Sequence, residues 1–222
     1  MIDKRVACIE DAVRGIADGS TVLISGFGDS GTPFELLEAV LDQGARDLEI
    51  VLNNAGGGDD AIVRLLAADR VRKVVCSYPR SSLGNPVFDR LYAERKVELE
   101  LVPQGTLAER IRAGSAGLGG FYTPTAAGTR LADGKEQRVF EGRTYVLERP
   151  IVGDVALVKA YRADRWGNLV YHSAARNFGP VMAACGRLTI VQVKEIVALG
   201  TLDPEHVVTP GIYVDRVVEL GI

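Results

Sequence analysis

Apolar positions recur at helical spacing from the start of the chain, at Val6, Ile9, Val13 and Ile16, and stop at Asp18-Gly19. The segment "TVLISGF" then reads as an apolar strand. From there the two periods alternate. The pattern predicts a helix around Pro33 to Leu41, a strand in "DLEIVLNN", a helix in "DDAIVRLLAAD" and a strand in "RKVVCSY". A helix in "PVFDRLYAER", a strand in "VELELVP" and a helix in "TLAERIRAG" follow. Strands separated by helices make an α/β fold, an open Rossmann-like sheet with flanking helices. The second half changes character, because "QRVFEGRTYVLE" and "DVALVKAYRADRWGNLVYHS" pair strands around turns at Glu141-Gly142 and Trp166-Gly167-Asn168. Hairpins replace crossovers there. A helix near "FGPVMAAC", a strand "LTIVQV" and a strand-rich end "VVTPGIYVDRVVEL" complete the pattern. No repeat or polar linker divides it, so residues 1–222 read as one domain.

The sharpest corner is Gly26-Phe27-Gly28-Asp29-Ser30-Gly31, which has the spacing G-x-G-x-x-G between a strand and a helix. Thr32, Pro33 and Glu35 read as an N-cap, a first-turn proline and a capping-box acid. Glycines permit positive φ and the close approach of a ligand, and the helix start offers free N–H groups to an anion. A tight turn without a ligand and a phosphate-bearing ligand both fit this spacing. A nicotinamide dinucleotide fits less well, because the next strand should end in an acid that holds the ribose. It ends in Asn53-Asn54 instead, and Asp59 and Asp60 come too late. Ligands of open α/β sheets lie beyond the carboxyl ends of the strands, which adds Asn53 to Gly58, "CSYPRSSLGNP" and "VPQGTLAER" to the candidate loops. In the last, Thr106 and Glu109 form a capping box, with Gln104-Gly105 between strand and helix. The Gln104 amide either faces a developing oxyanion or satisfies local backbone groups. "GFYTPTAAGT" is a flap or a plain surface loop.

Composition narrows the function classes. With 47% hydrophobic and 25% charged residues, the chain is an ordinary globular protein with a sizeable core. A net charge of −3 with Lys and Arg spread along the chain argues against nucleic acid or an anionic membrane as partner. No apolar run reaches the length of a membrane span and the first residues lack a signal-like apolar core, so a cytoplasmic location is expected. Cys8, Cys76 and Cys185 lie far apart in apolar contexts, which predicts reduced, buried thiols and neither a disulfide nor a metal site. A catalytic thiol would need His172 or His206 as its base. There is no G-x-S-x-G, H-E-x-x-H, CxxC or Walker lysine. No hydrolase constellation exists here.

"DGSTVLISGFGDSGTP" resembles the first signature of the family I CoA-transferases, in which Asp-Gly, an apolar triplet and Gly-Gly-Phe lead to Gly-x-Pro. "NNAG", "VPQGTLAERIRAG", "GFYTPT", "GDVALVKAYRAD", "GNLVY" and "ARNF" follow in the family's order over nearly the whole chain. The resemblance is to the A subunit of the 3-oxoacid CoA-transferases. "VRKVVCSYPR", "RWGNL" and "ARNFGPVMA" are most similar to the succinyl-CoA:3-oxoadipate branch. The resemblance implies a ping-pong reaction in which a glutamate forms an acyl anhydride, then a glutamyl-CoA thioester, and passes CoA to a second acid. That glutamate belongs to a homologous B subunit, in a Ser-Glu-Asn-Gly context absent from this chain. Two A and two B chains, coenzyme A and succinyl-CoA as substrates, and no permanently bound cofactor or metal are further implications.

Carried over residue by residue, the family's CoA motif falls on Ser25, Gly26, Phe27, Gly28, Asp29, Ser30 and Gly31, and its oxyanion-hole glutamine on Gln104. Ser25 stands where the family has a glycine. Its Cβ and hydroxyl either shift the contact or add a hydrogen bond. The implied acceptor is 3-oxoadipate, with acetoacetate as the nearest alternative. A non-catalytic regulatory chain of the same fold is the reading from another class, and the retained Gln104 and glycine loop argue against it. 3-Oxoadipate has a second carboxylate, for which Arg80 is the candidate cation; a solvent-facing or interface arginine is the alternative.

Overall fold

The computed structural model describes residues 1–80 and 83–221. Its central sheet runs, in spatial order, β11 (Arg216–Glu219), β10 (Gly186–Val197), β8 (Gly153–Asp164), β1 (Thr21–Ile24), β2 (Leu48–Asn54), β3 (Val71–Tyr78) and β4 (Glu98–Leu101). All these neighbours pair in parallel. From β1 the chain steps outward to β4 through α2 (Phe34–Gln43), α3 (Ala61–Ala67) and α4 (Pro86–Ala93). It then passes through α5 (Gln104–Ser115), re-enters on the other flank of β1 as β8, and continues through α6 (Gly179–Ala183) to β10 and β11. Strand order therefore reverses between β1 and β8.

Alternation along the strands sorts the core into two layers. Val22, Ile24, Ile50, Leu52, Val74 and Cys76 pack with α1 (Ile9–Val13) to α4, whereas Leu23, Val51, Val75, Val158 and Val191 pack with α5 and α6. Both faces are covered, which is why these strands read as continuous apolar runs. Val22, Leu23 and Ile24 are almost wholly inaccessible to solvent, and burying a side chain of this kind contributes about 1.5–3 kcal/mol.

Both predicted hairpins are present. β6 (Gln137–Phe140) and β7 (Arg143–Glu148) pair antiparallel across Glu141-Gly142, where φ is +50° and +77° as a two-residue turn requires. β9 (Leu169–Val170) folds back onto β8. The buried Asp164 carboxylate fixes that turn by accepting from Trp166 N at 2.9 Å and Asn168 Nδ2 at 2.8 Å. "GFYTPTAAGT" begins as β5 (Phe121–Thr123), which pairs with β7, so its first residues belong to a second sheet.

Other expectations need correction. Val6 is extended and donates its N–H to Val217 O, so the N-terminal helix shrinks to α1, and Cys8 at its N-cap position is exposed. Cys76 and Cys185 are buried, and burial pushes the Cys76 thiol up to about 12 and raises that of Cys185. The Thr32 capping box does not form. Its hydroxyl donates backward to Gly28 O at 2.7 Å, and Pro33 holds the N-cap position of α2. The cap comes from β10: buried Gln192 accepts Leu36 N through Oε1 at 3.2 Å and donates its amide to the Glu35 carboxylate. In α5 the helix begins at Gln104, because Pro103 O already accepts Leu107 N at 2.8 Å. Thr106 is thus inside the first turn, and Glu109 pairs with Arg112. Among the described residues no helix is long and apolar enough to cross a membrane.

Two outcomes are expected. Gln192→Ala strands Leu36 N and should cost about 1–3 kcal/mol, read as a lower urea midpoint at unchanged slope. Burial disfavours the Glu100 charge, but hydrogen bonds from Lys73 and Arg110 outweigh it and hold the carboxyl below its ordinary range. A lowered folded value contributes stability that is complete above the unfolded pKa and is lost as pH falls through the folded one. Glu100→Gln should therefore flatten the acid limb of urea midpoints plotted against pH; an unaltered limb would assign it to other carboxylates.

Candidate functional site

Where strand order reverses, the loops after neighbouring strands leave toward opposite faces and open a crevice at the carboxyl edge. The loop after β1 occupies it. Ser25 N still donates to Leu157 O of β8 at 3.0 Å, as a last rung of the ladder. The buried Ser25 hydroxyl then donates to Gly31 O at 2.8 Å and accepts Lys159 N at 3.2 Å. The serine adds hydrogen bonds, and these go to protein groups.

Between those anchors the chain makes a tight reversal. Phe27 N donates to Ser30 O at 3.0 Å and Ser30 N to Phe27 O at 3.3 Å, with Gly28 and Asp29 at the tip and Phe27 half exposed. Two glycines are required by contact. At Gly26, with φ +125°, a Cβ would overlap the Thr32 hydroxyl; at Gly31, with φ +76°, it would overlap Ala175 O. The Ala175 segment is itself tied to the loop, since Asn177 Nδ2 donates to Ser30 O at 2.8 Å.

A row of polar side chains continues along the edge. Asn53, the penultimate residue of β2, lies in the layer that faces α5, and its buried Oδ1 accepts Gln104 Nε2 at 2.7 Å. Register pairs Leu52 with Cys76 and Asn54 with Tyr78, which sets Ser77 beside Asn53. The Ser77 hydroxyl oxygen is buried and has no hydrogen-bond partner. Gln104 keeps a second amide N–H beyond the one given to Asn53. Asp60, too late in sequence for a ribose acid, caps α3 instead through Val63 N at 2.9 Å and holds Gly57 N at 2.9 Å.

Cavities flank the glycine loop. On the β2 side one of about 230 Å³ is lined by Gly28, Asp29, Asn54, Gly57 and Asp60. On the β8 side one of about 420 Å³ is lined by Gly31, Lys159, Tyr161, Tyr171, His172 and Lys194. A larger cleft of about 510 Å³ between α1 and α2 carries the acids Glu10, Glu35, Glu38 and Asp42, with Arg14 as its one cation among the described residues. Arg80 lines none of these. It is mostly exposed, and its Nε donates to Asp89 Oδ1 on α4 at 2.6 Å. Ser81 and Ser82 of the "CSYPRSSLGNP" loop lie outside the described residues.

Comparison with known proteins fixes the family. The model of the coenzyme A transferase family matches residues 6–220. This chain belongs to the coenzyme A transferases. It is 56% identical to the A subunit of 3-oxoadipate CoA-transferase from Pseudomonas putida, over all of this chain and 95% of that one. It is 50% identical to the A subunit of a probable succinyl-CoA:3-ketoacid coenzyme A transferase from Bacillus subtilis, over 97% of this chain and 89% of that one. The crystal structure of an acyl-CoA transferase of Escherichia coli O157:H7 superposes with a TM-score of 0.88 at 24% identity, covering 98% of this chain and 47% of that one. The last likeness is one of fold, and this chain spans about half the length of that structure's chain.

In this transferase chain the sequence-derived candidates Ser25 to Gly31 and Gln104 all sit at the carboxyl edge of the sheet, whereas Arg80 is held at the surface by Asp89. Asn53 and Ser77 fall within the candidate loops Asn53 to Gly58 and "CSYPRSSLGNP", and His172 enters the sequence reading as a possible base for a thiol, whereas Lys159 and Lys194 have no site role there. Asn53 carried a usable signal, an amide at the end of an otherwise buried apolar strand. Lys159 carried another, a charge inside the apolar run "DVALVKAY". Ser25→Ala should strand Lys159 N and Gly31 O, lower stability by about 1–3 kcal/mol and speed amide exchange at Lys159. Protection equal to the wild type would show that the hydroxyl does not hold the loop.

Proposed function

We propose that this chain is the A subunit of a transferase that moves CoA from succinyl-CoA to 3-oxoadipate, acting with a homologous B subunit in an assembly of two A and two B chains. The observation that carries this reading is the 56% identity, without a gap in coverage of this chain, to a protein named for 3-oxoadipate. The 50% identity to a protein named for 3-ketoacids keeps acetoacetate as the second reading. A cytoplasmic location suits the buried, unpaired Cys76 and Cys185.

The reaction needs a carboxylate nucleophile, which this reading assigns to a glutamate of the partner subunit. Its oxygen attacks the succinyl thioester carbonyl and expels the CoA thiolate, leaving a mixed anhydride. The thiolate attacks the glutamyl carbonyl, releases succinate and forms the glutamyl thioester. The acceptor carboxylate repeats the two steps in reverse and restores the glutamate. Each addition puts negative charge on a carbonyl oxygen. The Gln104 amide is the donor this chain supplies to that oxygen, oriented by Asn53 and needing no proton transfer. The Gly26–Gly31 turn gives the thioester and pantetheine chain a close approach to the backbone.

The isolated chain should show no turnover and gain it when mixed with its B partner. Turnover by the homogeneous chain would overturn this reading, as would mass-spectrometric capture of the CoA thioester on this polypeptide. Within a correctly assembled complex, Gln104→Ala should lower kcat about 10²–10³-fold. Wild-type kcat in that variant would assign Gln104 to the architecture of the turn.

A further inference from the structure

The cavity on the β8 side of the glycine loop is cationic, although the chain as a whole is negative. Lys159 and Lys194 come from β8 and β10, and His172 from the segment after β9. Lys194 has no ion-pair or hydrogen-bond partner among the described residues. Lys159 Nζ has one distant carboxylate, Glu35 Oε2 at 3.9 Å. The walls are aliphatic or aromatic. The Tyr171 hydroxyl is already paired with Thr209 Oγ1 at 2.8 Å, and the Tyr161 ring lies against His172 at 5.3 Å between centroids. An apolar-walled pocket of about 420 Å³ with unspent ammonium groups suits a short carbon chain that ends in an anion.

We propose that this cavity, and not Arg80, takes the terminal carboxylate of the dicarboxylic substrates, with Lys194 as the principal cation and Lys159 beside it. The inference rests on the 3-oxoadipate reading and deepens it. Its geometry comes from the sheet. Leu23 is level with Val51 of β2 on one side and with Ala156 of β8 on the other. The Asn53–Gln104 pair lies in the α5 layer and the cavity in the α2 layer beside Glu35, and the two meet at the edge where β1 ends; Lys159 of β8 stands two strand spacings from Asn53 and Lys194 of β10 three, roughly 10 and 14 Å. An extended six-carbon dicarboxylate, met by a flexible lysine, bridges a gap of that order, with the reacting carboxylate at Gln104 and the far one in the cavity. Succinyl-CoA also ends in a free carboxylate, so both half-reactions use the subsite. Acetoacetate has nothing to place there.

The experiment uses the complete enzyme, assembled from this chain and its B partner, and compares wild type with Lys194→Met, which keeps the apolar stem and removes the charge. In a ping-pong reaction kcat/KM for an acceptor reports only its reaction with the CoA-loaded enzyme. The ratio of kcat/KM for 3-oxoadipate to that for acetoacetate should fall about tenfold or more in the variant, chiefly through KM. The same fall is expected for succinyl-CoA relative to acetoacetyl-CoA as donors. Equal losses for every CoA donor, with a raised KM for each, would place a CoA phosphate in the cavity and overturn the proposal. An unmoved ratio would overturn it too. If the wild type prefers acetoacetate, the 3-oxoadipate reading fails by itself, and the comparison of the two donors still decides what Lys194 holds.

Discussion

Beyond Ile24 the first strand leaves the sheet while β8 runs on to Asp164, so the Lys159 N–H points to a place where no backbone carbonyl follows. A buried donor without an acceptor is costly, and the Ser25 hydroxyl takes the vacant place while donating to Gly31. One side chain thereby closes the strand ladder and folds the loop. Gly31 is fixed against Ala175, the reversal at Phe27 to Ser30 is held at both ends, and the two flanking cavities are separated by a wall of backbone. A glycine at position 25 would leave Lys159 N to water or to another loop conformation.

Local periodicity made the order and faces of the elements legible, since a parallel strand covered on both sides must be apolar throughout. Caps and site partners were less legible, for a topological reason. Thr32 and Glu35 spell a capping box, yet the group that satisfies Leu36 N is Gln192, 156 residues away on β10. Gln104 and Asn53 stand 51 residues apart and meet because α5 returns over the layer that contains Val51 and Val75. Lys159 and Lys194 look like ordinary strand charges. Only the pairing of Gln192 with Lys159 and of Val193 with Ala160 brings both lysines to one edge beside Gly31. The glycines of the loop could be read directly, because a positive φ at a strand-to-helix corner leaves its mark in residue type.

Placement of Gln104 is set by α5 as a rigid element. Leu107 and Ile111 are fully buried against the sheet, and Arg110 ties the helix on its other side. Its Nη1 donates to Glu100 on β4 at 2.5 Å, its Nε to Arg149 O after β7 at 2.7 Å, and its own carbonyl accepts Ile151 N at 2.9 Å. The segment after β7 therefore braces α5 at its second turn. Remote contacts of this kind fix the orientation of a side chain they never touch.

Charge is sorted across the glycine loop. Asp29 and Asp60 lie on the β2 side, the latter with both oxygens engaged by backbone N–H groups, whereas the ammonium groups of Lys159 and Lys194 lie on the β8 side. Screening limits such fields to about 8–10 Å at ordinary ionic strength. A net charge of −3 spread over the surface consequently says little about what an anion meets inside the crevice. Composition speaks to polyanion binding over a broad face, through the spread of Lys and Arg along the chain. It is silent about a single pocket, where Lys194 has no partner among the described residues and Lys159 only a distant carboxylate at 3.9 Å. The two sides of the loop thus differ in sign: an anion directed toward Asp29 meets a carboxylate, and one directed toward β8 meets a cation.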